Sequence, residues 1–219
     1  MKIKSSDQPE LNLGFGDHVC NWGIHIAGLY ENDTQRDDII YGFLNQGLIE
    51  KDIDLFCPVE RSIDGFMDSF ASHCGRKKSE LLTNDNFQIL PAKDIYYPNG
   101  TFSPFEMDKN LNSFFEESQK NGPRNIRATA EMVWALEAVP GREHLFAYES
   151  RLNYFIPGKP WVSICMYNTT KFSGSTIMDV LRTHPYTISN GILMQNPYFI
   201  DPDIWLAENA PQFLYSKDS

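Results

Sequence analysis

The sequence predicts an α/β fold: a three-layer sandwich in which helices cover both faces of a mainly parallel sheet, closed by a C-terminal antiparallel hairpin. Three observations carry this. Strand-like and helix-like segments alternate repeatedly from about residue 23 onward, the pattern of a parallel sheet with crossover helices. Asn190-Gly191 between two short apolar runs is a strong hairpin signal. The chain has 219 residues, 42% hydrophobic and 13% aromatic, enough for one large core. Residues 1–17 are polar and read as an N-terminal arm, and residues 18–219 read as a single domain.

The elements follow in order. Residues 23–30 (GIHIAGLY) form the first, apolar strand. Thr34 is the expected cap of the next helix, with Asp37 at capping-box spacing. Ile39, Ile40, Phe43 and Leu44 repeat at helical spacing, and Gly47 is the expected stop. The second strand covers residues 53–59. Ser62 or Asp64 then caps a helix that buries Phe66, Met67, Phe70 and Cys74 and ends at Gly75. Residues 87–90 form the third strand. Ser103-Pro104-Phe105-Glu106 joins a capping box to a proline at the first helical position. Leu111, Phe114 and Phe115 are that helix's core face, and Asn121-Gly122-Pro123 ends it. A fourth strand (125–132), a helix (142–155), a fifth strand (161–167) and a helix (176–183) lead to the hairpin strands 187–189 and 192–194. The tail is a proline-broken loop with a short helix.

Composition excludes several classes. The net charge is −10, from 29 acids against 19 bases, with no basic block. Direct nucleic-acid binding needs a cationic face, and an anionic membrane surface would repel this chain. Cys20, Cys57, Cys74 and Cys165 form no C-x-x-C pair and read as reduced thiols of a cytoplasmic protein. The N-terminus lacks the apolar stretch of a signal peptide, and no run of apolar residues is long enough to span a membrane.

In a parallel α/β sheet, ligands bind at the carboxyl ends of the strands. A phosphate-binding relative would carry a glycine-rich turn and a lysine after the first strand. Residues 29–38 here read LYENDTQRDD, without glycine or lysine. Glu31, Asp33, Asp37 and Asp38 stand where a polyphosphate would sit, with only Arg36 to offset them. Like charges at ~4 Å repel by about 1 kcal/mol even in water, so the loop disfavours ATP.

An ordered set of motifs resembles the MEDS domain, the sensory domain named for methanogens, methylotrophs and a dichloromethane-responsive regulator. The set begins at Trp22-Gly23-Ile24-His25 and runs through Tyr30, Tyr41-Gly42-Phe43-Leu44, Gly47-Leu48 and Glu60. Gly122, Arg127 and Glu131-Met132-Val133-Trp134 look like the central block. Tyr148-Glu149, Cys165-Met166-Tyr167, His184-Pro185, Asn196-Pro197-Tyr198 and Pro202 follow in the family's order, so the resemblance covers about residues 18–206. It implies a RecA-like, KaiC-like core without Walker motifs, and the sensing of small organic compounds such as hydrocarbon derivatives. The family often has Cys two residues after its His; here Ala27 holds that position, while His18-Val19-Cys20 lies upstream. Family members often carry a DNA-binding or kinase module. The stretch before residue 18 is too short for one, so output is expected to pass to a regulatory protein partner or through self-association.

The candidate ligand-binding residues are His25, Tyr30, Glu60, Arg127, Glu131, Trp134, Tyr148, Tyr167 and His184. Arg127, Thr129 and Glu131 alternate onto one strand face, where Arg127 and Glu131 could pair with each other or Glu131 could accept from a ligand. Tyr30 and Tyr167 each end a strand and are expected on one rim, offering an apolar ring with a polar tip. Trp134 walls a pocket or packs in the core. Glu149 pairs with Arg127 or a loop lysine. His18, Cys20 and His25 are a weak metal candidate, without the usual ligand spacing. No cofactor is expected, and no nucleophile elbow or H-E-x-x-H is present. The leading reading is a non-catalytic, small-molecule-sensing input domain. The alternative is a RecA-like ATPase or hydrolase, degenerate or active, using Glu131 or Glu60 as general base.

Overall fold

The computed structural model describes residues 10–16 and 18–214. Of the expected N-terminal arm, residues 1–9 and 17 lie outside the described residues. Residues 10–16 are not a free lead-in. β1 (Glu10–Asn12) pairs antiparallel with β2 (Val19–Asn21), and Leu11 and Leu13 are fully buried in the core. Two leucines in a polar run suffice to anchor it, because each covered side chain contributes about 2 kcal/mol of burial.

The first sheet strand is β3 (Ile24–Tyr30), followed by α1 (Asp33–Glu50). Asn32, not Thr34, caps α1, accepting from the Gln35 backbone N–H. Gly47 does not end the helix, which runs to Glu50 with Lys51 in the left-handed region at its C-cap. The glycine has a packing cause: a Cβ there would lie 2.0 Å from Oδ1 of Asp54. β4 (Ile53–Cys57) and α2 (Ile63–Cys74) follow, with Ser62 capping α2 and Gly75 closing it. Two short helices not foreseen from the sequence, α3 (Lys78–Leu82) and α4 (Ala92–Ile95), flank β5 (Phe87–Ile89). They are too short to show periodicity.

Ser103 caps α5 (Pro104–Gln119). Leu111, Phe114 and Phe115 are only partly buried, against the second core cluster. β6 (Ile126–Glu131) leads through 3-10 turns at Met132–Leu136 and Arg142–His144 into α6 (Leu145–Phe155). β7 (Trp161–Asn168), α7 (Gly174–Thr183), β8 (Tyr186–Ser189) and β9 (Ile192–Gln195) complete the sheet, and α8 (Pro202–Asn209) packs on α6. Asn190 and Gly191 both take positive φ, as the two-residue hairpin between β8 and β9 requires.

The seven-stranded sheet has the order β5-β4-β6-β7-β3-β8-β9, parallel except at the β8–β9 hairpin. Alternation divides it into two faces. One carries Ile24, Ile26, Phe56, Val162, Ile164 and Met166 and packs on α1 and α2. The opposite face meets α5 and α6, and its side chains are small: Ala27, Cys57, Ala128, Ala130, Ser163 and Cys165. Register lines them up in rows, with Leu55, Ala128, Ser163 and His25 in one and Cys57, Ala130, Cys165 and Ala27 in the next.

Asp54 points into the α1 side with both carboxyl oxygens buried and lacking a hydrogen-bond partner among the described residues. Burial pushes its pKa up from 3.8 to about 9, although Arg127 holds it back. Between those values the folded chain binds a proton that the unfolded chain does not, so this group lowers stability progressively as pH rises. Asp54→Asn is expected to match the parent in thermal stability near pH 4 and to exceed it increasingly up to pH ~9. Melting curves across that range check this.

Candidate functional site

Three polar constructions and one cavity account for every candidate residue except Trp134. The first is at the carboxyl ends of the strands, on the α1 side. Tyr30 donates a short hydrogen bond to Glu60, which also accepts from Asn168 Nδ2 at 3.2 Å and pairs with Lys171. Glu131 is fully buried, and its Oε2 accepts from the backbone N–H groups of Val59 and Glu60, each at 2.6 Å. Arg36 enters from the first turns of α1 and lies 3.4 Å from both Glu60 and Glu131, with further contacts to Asp33 and Asp37. Burial raises the Glu131 pKa, opposed by the two backbone donors and by Arg36. For Glu60 burial acts upward too, but Lys171 and Tyr30 bring the net value down. The rim is thus filled by a guanidinium and two carboxylates in ion-pair contact, although Glu131 Oε1 makes no hydrogen bond among the described residues.

The second construction is at the opposite end of β6. Arg127 donates to Asp52 at 2.7 Å, to Glu50 at 2.8 Å and to the Asn12 carbonyl at 2.8 Å, and lies over the Trp22 and Phe43 rings. It pairs with neither Glu131 nor Glu149, correcting both expected partnerships. Arg127 and Glu131 share a face, but β6 separates them by four residues.

The third is a buried cluster on the small-residue face. His25 of β3, Glu149 of α6, Cys165 of β7 and His184 after α7 are each at most 5% exposed. Glu149 Oε2 lies 3.2 Å from His25 Nε2, 3.4 Å from His184 Nε2 and 3.4 Å from Cys165 Sγ. Tyr167 donates to the other oxygen, Oε1, at 2.7 Å. The two imidazole centroids are 4.1 Å apart. Burial and the neighbouring His184 push the His25 pKa down to about 4, against the pull of Glu149. Burial favours the neutral acid at Glu149, but with the two histidines protonated their charges and N–H groups outweigh it and hold the carboxyl well below its usual range. Burial raises the Cys165 thiol, and Glu149 raises it further.

Tyr30 and Tyr167 do lie at the same rim of the sheet, but on opposite faces, so they cannot grip one ligand together. Tyr30 aligns with Asn168, and Leu29 with Tyr167, so alternation sends the two phenols to opposite faces. The weak metal set also falls apart. Cys20 packs among Ile24 and Ile26, and His18 contacts the β8–β9 hairpin at Gly191 and Leu193, whereas His25 faces α6. Trp134 stacks on Tyr96 at 4.6 Å inside the core.

Beside the third cluster, under α5, is a cavity of about 320 Å³. Its floor is Leu55, Ala128, Ala130, Ser163 and Cys165; Met107, Leu111 and Phe114 of α5 form the roof, and Tyr148 and Leu152 one wall. Of the nine candidate residues, Tyr148 alone lines it. Cys165 belongs to both cavity and cluster. The missed signal is the run Ala128-Thr129-Ala130: a central strand with two alanines on one face leaves space that helix side chains must reach across to fill.

This is an α/β domain of RecA-like fold with an ion-pair cluster at the carboxyl ends of its strands. Solved structures agree on the fold. A KaiC-like protein, PH0186 of Pyrococcus horikoshii, superposes with a TM-score of 0.51 at 14% identity, covering 76% of this chain and 70% of that one. The flagellar accessory protein FlaH of Methanocaldococcus jannaschii gives 0.53 at 15% identity, over 83% and 81%. An uncharacterized P. horikoshii protein, PH0321, solved with an unknown peptide, gives 0.58 at 16% identity, over 80% and 84%. The chain belongs to the MEDS family, the methanogen/methylotroph, DcmR sensory domain, which matches residues 24–185. It is 22% identical over 178 residues to the transcriptional repressor DcmR of Methylorubrum extorquens, covering 81% of this chain and 61% of the repressor. The chain therefore spans about three fifths of that relative's length. The family is by its description a sensory domain. No helix among the described residues is long and apolar enough to cross a membrane.

The rim yields a stability test. Arg36→Met leaves Glu131 buried without its cation and is expected to cost about 3 kcal/mol. Adding Glu131→Gln should recover part of that loss, which a double-mutant cycle in urea measures.

Proposed function

We propose that the chain is a ligand-sensing input domain that binds a small, mostly apolar organic molecule in the cavity under α5 and signals to a regulatory partner. The observation that carries this is the cavity itself: about 320 Å³ and mostly apolar in its lining, with Ser163 and Cys165 on the floor and Gln88, Asp94, Asn110 and Tyr148 among the polar residues around it. That is the low end of the ligand-site range, roughly 300–1,000 Å³, and suits a small compound. Membership in a sensory family and kinship with a repressor support a regulatory output.

The catalytic alternative has less to rest on. Glu131 and Glu60 would serve as general base, but each is engaged by internal donors, and Glu131 is fully buried. A base must reach the proton it abstracts. The acidic, arginine-filled rim likewise disfavours polyphosphate. The ligand site thus moves from the strand ends to the face of the sheet.

The test is a thermal-shift and calorimetric screen of short alcohols, haloalkanes and methylated amines, alongside ATP with Mg²⁺. Small organics are expected to stabilise the protein and ATP to leave it unchanged. Ala130→Leu adds three carbons into the cavity. It is expected to keep the fold while weakening binding by roughly tenfold or more, about 1.4 kcal/mol. Stabilisation and hydrolysis of ATP, with no response to any organic, would sink the proposal.

A further inference from the structure

The geometry points to a buried, four-coordinate site for a zinc-class divalent ion, held by His25 Nε2, His184 Nε2, Cys165 Sγ and one oxygen of Glu149. The inference is independent of what fills the cavity.

The distances fit a tetrahedron. Zinc bonds to nitrogen, oxygen and sulfur are about 2.0–2.3 Å, and tetrahedral edges are ~1.6 times longer, roughly 3.3–3.8 Å. The contacts among the four atoms are 3.2, 3.4, 3.4 and 3.5 Å, and all four lie within 4.8 Å of one another. They come from four separate elements, so no local turn forces them together.

The surroundings fix the imidazoles in the ligating tautomer. His184 Nδ1 lies 2.7 Å from the Val180 carbonyl, which can only accept, so Nδ1 carries the proton. Asn153 spends its amide N–H groups on the carbonyls of Glu149, Ser150 and Thr183, which turns its oxygen toward His25 Nδ1 at 3.4 Å. In their neutral forms both histidines then aim bare Nε2 lone pairs at Glu149 Oε2 and Cys165. His184 Nε2 makes no hydrogen bond among the described residues. Lone pairs converging on a carboxylate oxygen repel one another unless a cation sits between them. Tyr167 occupies the remaining oxygen of Glu149, so the outer shell of two carbonyl oxygens and a phenol is complete.

The charges also close. Two neutral imidazoles, one thiolate and one carboxylate balance a divalent ion, and the thiol proton leaves to solvent as the metal binds. Nitrogen and sulfur ligands select zinc-class ions over Mg²⁺ and Ca²⁺. All four positions come from the protein, as in closed structural sites. One ligand, Cys165, also lines the cavity.

The experiment measures metal in the full chain purified without chelator, then repeats it after dialysis against dipicolinate and titration with Zn²⁺, Co²⁺ or Mg²⁺. The expected result is about one bound Zn²⁺ per chain. Chelation should lower the melting temperature, and Zn²⁺ but not Mg²⁺ should restore it. The Co²⁺ form should show tetrahedral ligand-field bands and a thiolate charge-transfer band that is absent in Cys165→Ser. Tyr167→Phe keeps all four ligands and is expected to weaken Zn²⁺ about 10–100-fold with the fold intact. This second variant keeps the test decisive if Cys165→Ser does not fold. Absence of stoichiometric metal, with no thermal response to chelator or Zn²⁺, would overturn the site. So would a cobalt spectrum without thiolate character in the parent protein.

Discussion

The parallel pairing of β3 with β7 is the constraint on which the rest depends. Its register sets His25 beside Ser163 and Ala27 beside Cys165, and the β6 pairing extends both rows through Ala128 and Ala130. Because side chains alternate, this one alignment decides which residues meet α1 and which meet α5 and α6. A slip of β3 by one residue along β7 would turn His25 and Ala27 toward α1 and bring Ile24 and Ile26 to the cavity side, parting His25 from Cys165. The small side chains on that face are the physical origin of the cavity, since helix packing distances cannot shrink enough to close the gap they leave. The buried cluster lies where the same rows reach β3, so cavity and cluster share Cys165 rather than merely neighbouring each other.

The rim of the sheet takes a different course from a nucleotide site. A phosphate loop brings backbone N–H groups and a lysine to an anion. Here the first turns of α1 bring Arg36 to the chain's own anions, Glu60 and Glu131. The carboxylates and guanidinium act as an internal substitute for ligand and cation. Such a pair is costly to break and contributes modestly when intact, which suits a structural pin. The two ends of β6 are pinned alike, by Arg36 at one end and Arg127 at the other.

Much of the fold was legible in the sequence. The strand–helix alternation, the Ser62 and Ser103 caps and the Asn190-Gly191 hairpin all carry local signals that tertiary structure did not override. Local signals misled where packing set the residue, as at Gly47, which is small to admit Asp54 and does not stop a helix. Leu11 and Leu13 were hidden inside a polar run. The site was less legible because it depends on strand order. His25 and Cys165 meet across 140 residues, and only adjacency of β3 and β7 brings them together. Tyr148 and His25 were found as candidates, yet their partners Cys165, Glu149 and Asn153 carry no spacing signature. Tyr30 and Tyr167 reach the expected rim but, by parity, opposite faces of it, since strand ends are read from sequence more readily than faces.

The ion pairs at the strand ends and the cavity under α5 lie on opposite faces of the sheet. The rim is internally ion-paired, and the proposed ligand site is the face under α5. On the proposed reading the ligand would lie between the sheet and α5, and its occupancy would press on that helix. The most direct measurement is an anomalous difference map from crystals grown with a short bromoalkane. The account expects a bromine peak between Ala130, Leu111 and Tyr148. A peak at the strand ends beside Tyr30 and Glu60, with none under α5, would contradict it.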